Sequence, residues 1–401
     1  MEAASAIYYD PYDFEIDADP YPIWKRMRDE QPLYYNKKYD FYALTRWDDV
    51  DRGLRDHAQL ISSKGTILEL IKANIELPVG MVIFEDPPTH GVYRGLLSRV
   101  FTPRKMLAIE PLVRKFCADA LDPFIGETGF DFVADLGAKM PMRVIGMLLG
   151  IPEEAQQAIR DQTDDGLHLK SGEMPDVTSL EAVSLAAAEG SFGEYLDWRI
   201  SNPSDDVMTT LLQAEFDDHL GVRRQLSRDE VLGYVRLLSG AGNETTTKLI
   251  GHTGKLFSDY PDERRKVAAN RNLIPNAIEE VLRYEAPSPA QSRYVAADVE
   301  FHGQTVPEGS AVMLLDASAN RDERRWDNPD SFDVNRKIDH HLSFGYGLHF
   351  CLGAALARLE ARVALDEVLQ RFPNWTVDLE NAVRSKTSTV RGWDKLPVTL
   401  T

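Results

Sequence analysis

At 401 residues the chain is long enough to bury a large core, and its 43% hydrophobic and 27% charged residues are those of an ordinary globular protein without low-complexity or Pro-rich linker tracts. A net charge of −19 sets the molecule as a whole against nucleic acid and anionic membrane surfaces. Two cysteines, Cys117 and Cys351, stand too far apart in sequence for a metal-binding pair or a disulfide framework, and Met1 to Pro22 carries neither a basic start nor an apolar run of anchor length. A soluble protein of the reducing cytoplasm is expected, with one domain over residues 1–401 because no break in composition divides it.

In chain order, short strands are expected at Leu33–Asn36 and Phe41–Leu44, then helices at Leu107–Phe124, Leu180–Ile200, Ser227–Phe257 and Ile274–Tyr284. Strands follow at Arg293–Phe301, Gln304–Val306 and Ala311–Leu315, with Pro307-Glu308-Gly309 as a tight turn. Arg321 to His341 mixes charge, Pro and Asn without periodicity and reads as a long loop before a final helix, Leu352–Arg371. A last hairpin is expected between Lys386–Val390 and Leu396–Leu400. The sum is a mainly α protein with small β-sheets.

The segment Phe344-Gly345-Tyr346-Gly347-Leu348-His349-Phe350-Cys351-Leu352-Gly353 places a cysteine among glycines just before an alanine-rich helix. Free backbone N–H groups and the positive end of a helix favour a thiolate, the form a soft metal needs. Glycines at 345, 347 and 353 leave room for a bulky flat ligand and adopt turn conformations closed to other residues. By itself a lone cysteine is more often a small buried hydrophobe. The full spacing resembles the heme-binding signature of the cytochrome P-450 superfamily, a Phe, then Gly, then Cys, then Gly. The resemblance implies the cytochrome P-450 fold, with heme b (iron protoporphyrin IX) held between a long oxygen-activation helix and the helix after the cysteine loop. It gives Cys351 the role of metal ligand, and it places Phe344 and Gly353 beside the sulfur.

Other segments match the same family in the same order. Ala241-Gly242-Asn243-Glu244-Thr245-Thr246, inside the longest helix, resembles its oxygen-activation motif. There Gly242 is expected to leave room beside the iron. Thr245 is expected to turn its hydroxyl into the helix ladder, widen it locally and, with Glu244, deliver protons while dioxygen is activated. Glu280 and Arg283, three apart on a helix, match the family's Glu-x-x-Arg pair, and Arg336 is the expected third member that locks the cysteine loop. Outside the resemblance such a pair would be read as a solvated surface contact. For the two heme propionates, His90 and Arg94, four apart on a helix, together with Arg293 and His349, match the family's contacts.

No Gly-x-Gly-x-x-Gly after a strand marks a flavin or nicotinamide site, so electrons are expected from a ferredoxin or flavodoxin with its reductase. Arg99, Arg104, Lys105, Arg114, Lys115, Arg358 and Arg362 are the candidate docking patch, with a solubilising face as the alternative. The expected substrate pocket takes Ile67, Leu77, Val79, Leu237, Ala241, Ala290 and Val390, an apolar wall suited to a lipid, terpenoid or steroid-like molecule hydroxylated with dioxygen. A peroxygenase and a heme sensor would need no Glu-Thr pair on the long helix. A cysteine-nucleophile enzyme would need a base that His349, two residues away, is poorly placed to supply.

Overall fold

A computed structural model describes residues 6–78, 80–98, 100–152, 170–177 and 192–401. Val79, Arg99 and the expected helix from Leu180 up to residue 191 lie outside the described residues. The described part is mainly helical with small sheets, as the periodicity predicts.

The largest sheet takes strands from both ends of the chain: β1 (Leu33–Asn36), β2 (Phe41–Leu44), β3 (Leu60–Ile61), β4 (Gln291–Val295) and β5 (Ala311–Leu314), in the order β1-β2-β5-β4-β3. β5 runs parallel to β2 and antiparallel to β4, with Leu314 opposite Gln291 and Val312 opposite Arg293. Alternation along β4 puts Gln291 and Arg293 on one face.

Two strand expectations are corrected. The single strand expected over Arg293–Phe301 is β4 followed by a separate hairpin, Val299–Phe301 with Gln304–Val306, because the Asp298 carboxylate accepts the Glu308 N–H and turns the chain between them. Near the C-terminus, Lys386–Val390 forms no strand, since the Thr387 hydroxyl bonds both the N–H and the carbonyl of Val390 and closes a turn. The hairpin is instead Val383–Arg384 with Trp393–Lys395, and Pro397–Leu400 lies between Trp375–Val377 and Gly129–Asp131.

Five helices position the candidate site: α1 (Thr89–Ser98), α2 (Met140–Leu149), α3 (Arg228–Asp259), α4 (Ile274–Tyr284) and α5 (Ala354–Arg371). α3 begins where its sequence says it should. Ser227 and Glu230 form a reciprocal capping box, the Ser227 hydroxyl accepting the Glu230 N–H at 3.2 Å and the Glu230 carboxylate accepting the Ser227 N–H at 2.7 Å. α3 crosses α2, a π-helical turn at Phe132–Gly137, α4 and α5, and its buried residues join the largest apolar cluster. Cys117 is fully buried in that cluster, where burial pushes its thiol up, so it serves as a small hydrophobe.

Close crossing of α3 depends on its glycines unequally. A Cβ at Gly254 would fall 2.5 Å from the Phe132 ring, whereas one at Gly242 would meet only the Ile145 side chain of α2, at 3.3 Å. Alanine gains about 1 kcal/mol of helix propensity at either position, and overpacking costs about 1–3 kcal/mol. Gly254→Ala should therefore lower the thermal midpoint by circular dichroism, while Gly242→Ala should leave it within a few degrees of the parent.

Candidate active site

The cysteine loop is built on two glycines with left-handed backbone, Gly345 at φ 63° and Gly347 at φ 71°. A Cβ at Gly347 would also sit 2.9 Å from the Leu54 carbonyl oxygen, so no other residue fits there without moving backbone. Gly353 differs from expectation: its φ is −81°, open to any residue. A Cβ there would lie 4.0 Å from Cys351 Sγ, an ordinary contact, so neither backbone angle nor protein packing demands glycine at this position. The Cys351 N–H donates to the Phe344 carbonyl at 2.9 Å and closes the loop over the phenylalanine.

α5 begins at Ala354, three residues after the cysteine. Cys351 carries accessible surface although protein surrounds it, which makes it the wall of an internal space. The expectation of a simple helix-end thiolate is corrected. Burial pushes the thiol up, against the lowering pull of the Gly353 and Ala354 N–H groups and of Arg94 and Arg358. The donors that would favour a thiolate are in place, and a cation bound to the sulfur is the partner that would make them sufficient.

Two arginines and two histidines expected from the sequence gather beside this space. The His90 ring, from α1, lies 4.5 Å from the His349 ring. Arg94, one turn on, donates to the Phe350 carbonyl next to the cysteine. Arg293 is buried on β4, and its charge, with those of His90 and Arg94, acts on His349. Burial, then the Arg293 charge and the neighbouring His90 and Arg94, hold His349 down at about 3, and burial with Arg94 lowers His90, so both imidazoles are neutral at neutral pH. Burial lowers Arg293 to about 10. Nε2 of His90 and Nε2 of His349 are buried without a hydrogen-bond partner. A buried and a half-buried arginine gathered around unpaired imidazole nitrogens are a receptor for carboxylates.

On α3, Ala241 is exposed and Gly242, Glu244 and Thr245 are half-buried, while Leu238, Ser239, Asn243 and the run from Thr246 to Gly254 are buried. One short stretch of a core helix thus faces open space. The Thr245 hydroxyl donates to the Ala241 carbonyl at 2.7 Å, as expected, but the helix remains α throughout and is not widened. At Gly242 the missing Cβ points to Ile145, so its visible consequence is close packing of α3 on α2 in place of the expected room.

Glu280 and Arg283 are both 0% exposed. Arg283 Nε and Nη2 donate to the two Glu280 oxygens at 2.7 and 2.8 Å, and Arg336 Nε donates to Oε1 at 3.0 Å. Remaining donors of the two arginines satisfy carbonyls of Asn320, Asp327, Asn328, Pro329 and Ser331, so the pair organises the long loop ahead of the cysteine. Losing one partner would strand a buried charge, a cost of about 3–5 kcal/mol.

Of the expected pocket residues, Ile67 begins a segment tied to β4 by the Ser292 N–H donating to the Thr66 carbonyl at 2.7 Å. That segment ends against α3, where Met81 would lie 3.4 Å from a Cβ at Gly233, one turn before Leu237. Ile67, Leu77, Leu237 and Ala290 are half-buried, and Val390 is buried. A cavity of about 680 Å³ elsewhere, lined by Tyr21, Glu285, Arg321 and Arg391, is polar, with Arg321 and Arg391 paired to Glu285.

The docking patch is corrected in part. Arg114 is committed to Glu110, Asp366 and Glu367, and Lys115 to Asp119. Arg358 pairs through two nitrogens with Glu279 at 2.8 and 2.9 Å and lies over the Phe344 ring. Arg104 and Lys105 are exposed with no ion pair among the described residues, and Arg362 donates to the Arg358 carbonyl. Sequence reading passed over Glu279, Gln291, Asp316 and Glu360. Only the Gln291–Arg293 alternation was available as a signal, since a buried carboxyl leaves no mark on periodicity.

Whole-chain comparison decides the family. The chain is 39% identical to cytochrome P450 123 of Mycobacterium tuberculosis (strain H37Rv) over 396 residues, 98% of this chain and 96% of the relative. The chain belongs to the cytochrome P450 family. The family model for cytochrome P450 matches residues 262–392 of this P450, which include α4, the long loop and the cysteine segment. Its fold is similar to CYP109Q5 from Chondromyces apiculatus, with TM-score 0.85, 32% identity and 98% of each chain covered. It is also similar to CYP109E1 from Bacillus megaterium in complex with testosterone, with TM-score 0.87, 29% identity, and 96% of this chain and 99% of that one covered. This P450 is a monooxygenase of the heme b class. The residues present fit that group: a thiol with two backbone donors directed at it, unpaired imidazole nitrogens with Arg94 and the buried Arg293 for two carboxylates, and a helix stretch without bulk. Among the described residues no helix is long and apolar enough to cross a membrane.

The P450's cysteine loop carries its own acid sensitivity. Burial would raise Glu279, but His341 and the two-point contact from Arg358 overcome this and hold it at about 2. Burial lowers His341, so Arg358 is the standing charge at neutral pH. A depressed carboxyl contributes its stabilisation, about 3 kcal/mol here, in full above about pH 4.5 and loses it as pH falls toward 2. Urea midpoints measured against pH should show that loss, and Arg358→Gln should lower the neutral-pH midpoint and flatten the fall below about pH 4.5.

Proposed function

We propose that this P450 hydroxylates an apolar small molecule of the lipid, terpenoid or steroid-like class, as a single-domain cytoplasmic enzyme supplied with electrons by a ferredoxin-type or flavodoxin partner. The observation that carries the heme-thiolate reading is the Cys351 thiol, surrounded by protein yet accessible, with the Gly353 and Ala354 N–H groups and the Arg94 and Arg358 charges acting on it. Cys351 would hold the heme iron through its sulfur, Phe344 would pack on the loop side, and His90, Arg94, Arg293 and His349 would take the propionates. Heme bound there supplies activation of dioxygen and transfer of one oxygen atom to substrate.

The chain's own groups do the rest. Because the Thr245 hydroxyl donates to Ala241, its Oγ1 lone pairs are left to accept a hydrogen bond from a proton donor on the open side. Glu244, half-buried beside it, exchanges protons with solvent. Ile67, Leu77, Val79, Leu237, Ala241, Ala290 and Val390 orient an apolar substrate by shape, with few polar anchors. Testosterone in the similar CYP109E1 supports a ligand of that character. The exposed Arg104 and Lys105, joined by Arg362, are the proposed contact for an acidic electron donor.

Reduced protein treated with carbon monoxide should show the strongly red-shifted band of thiolate ligation, and its absence would sink the assignment of Cys351. Thr245→Ala should keep that band yet divert reductant into released peroxide, lowering product per reductant by about tenfold or more. Fully coupled turnover would count against the role given to Thr245. Arg104→Glu with Lys105→Glu should slow reduction by ferredoxin in a salt-dependent way, and stopped-flow rates independent of both would remove the docking surface.

A further inference from the structure

We infer that Gln291 and Asp316 are positioning residues that hold Arg293 for the heme carboxylate, and that Asp316 takes up a proton from solvent when that carboxylate docks. The inference rests on the heme site proposed above and concerns its regulation by pH. Gln291 Oε1 accepts from Arg293 Nη2 at 2.7 Å, while Gln291 Nε2 donates to Asp316 Oδ2 at 2.9 Å. The sheet register sets this up: Gln291 lies opposite Leu314, two residues before Asp316, and shares its strand face with Arg293. An amide is asymmetric. In the observed orientation its oxygen meets a cation and its NH₂ meets a carboxylate, and the flipped orientation would set like against like at both ends. Asp316 therefore determines which way Gln291 points, and Gln291 determines where the Arg293 fork is held.

Arg293 and Asp316 are each 2% exposed, and Asp316 Oδ1 has no hydrogen-bond partner. This is a buried cation and a buried acid coupled through one amide, with one lone oxygen able to carry a proton. The charges around the pair are few. Arg293 acts on Asp316, Asp86 acts on Arg293, and His349 responds to Arg293. Arg28, on the helix Tyr21–Glu30, is engaged with Ser318 and Glu323. Burial, against Gln291 and Arg293, raises Asp316 to about 7. A second anion at Arg293 competes for the same cation and raises the proton affinity of Asp316 further. Heme should then be held more tightly as pH falls through neutrality, by about tenfold for each pKa unit that docking adds.

Heme loss to a scavenging globin, followed on the holoenzyme from about pH 6 to 9, tests this. The parent should lose heme about tenfold faster at the alkaline end, and Asp316→Asn should lose most of that dependence while retaining the red-shifted carbon monoxide band. An Asp316→Asn profile that tracks the parent would overturn the inference. Absence of the band in the parent would instead overturn the heme-thiolate reading on which it rests. Should Asp316→Asn not accumulate as folded protein, Gln291→Leu keeps both charges but cuts the relay. It should speed heme loss several-fold and weaken the pH slope, and an unchanged rate and slope would equally overturn the idea.

Discussion

A carboxylate with no access to water, Glu280, holds two guanidinium groups, and the cysteine loop hangs from that contact. Arg283 is beside it on α4, and Arg336 reaches it from the loop. Each arginine spends its other donors on loop carbonyls from Asn320 to Ser331. Burying these charges is costly, and the cost is offset only while every donor and acceptor is matched. The loop is thereby confined to one path, and a loop without regular hydrogen bonding delivers Cys351 to a defined position.

A second carboxylate on the same helix extends the arrangement. Glu279 grips Arg358 of α5, and Arg358 lies on the Phe344 ring beneath the cysteine. α4 thus anchors both the approach to Cys351 and the helix that leaves it. Arg358 belongs to the internal bracing of the site, and the basic face left for a partner is narrower than the count of arginines suggested.

The histidine and arginine group of the site is incomplete as a hydrogen-bond system. His90 and His349 keep unpaired ring nitrogens, and Arg293 is buried with its one side-chain acceptor supplied by Gln291. Buried donors without acceptors are destabilising by themselves, so their concentration beside one thiol marks where the fold sets binding above its own stability.

The amino-acid sequence by itself determined the local elements and the chemistry of their residues. Helix α4 matched its expected bounds, α3 started at its capping box, and the Phe-Gly-Gly-Cys-Gly spacing with Glu280, Arg283 and Arg336 named the family's parts, because these signals are local or depend on fixed spacing. Tertiary structure alone decided what depends on distant partners. Gly353 proved to sit next to the sulfur without a special backbone angle, and Gly242 to face Ile145. Arg114 and Arg358 proved to be spent on carboxylates. The Lys386–Val390 segment became a turn, and Asp316 acquired its place behind Arg293 only through strand register. Periodicity reports which face of an element is buried. It cannot report which charge waits on the other side of the contact.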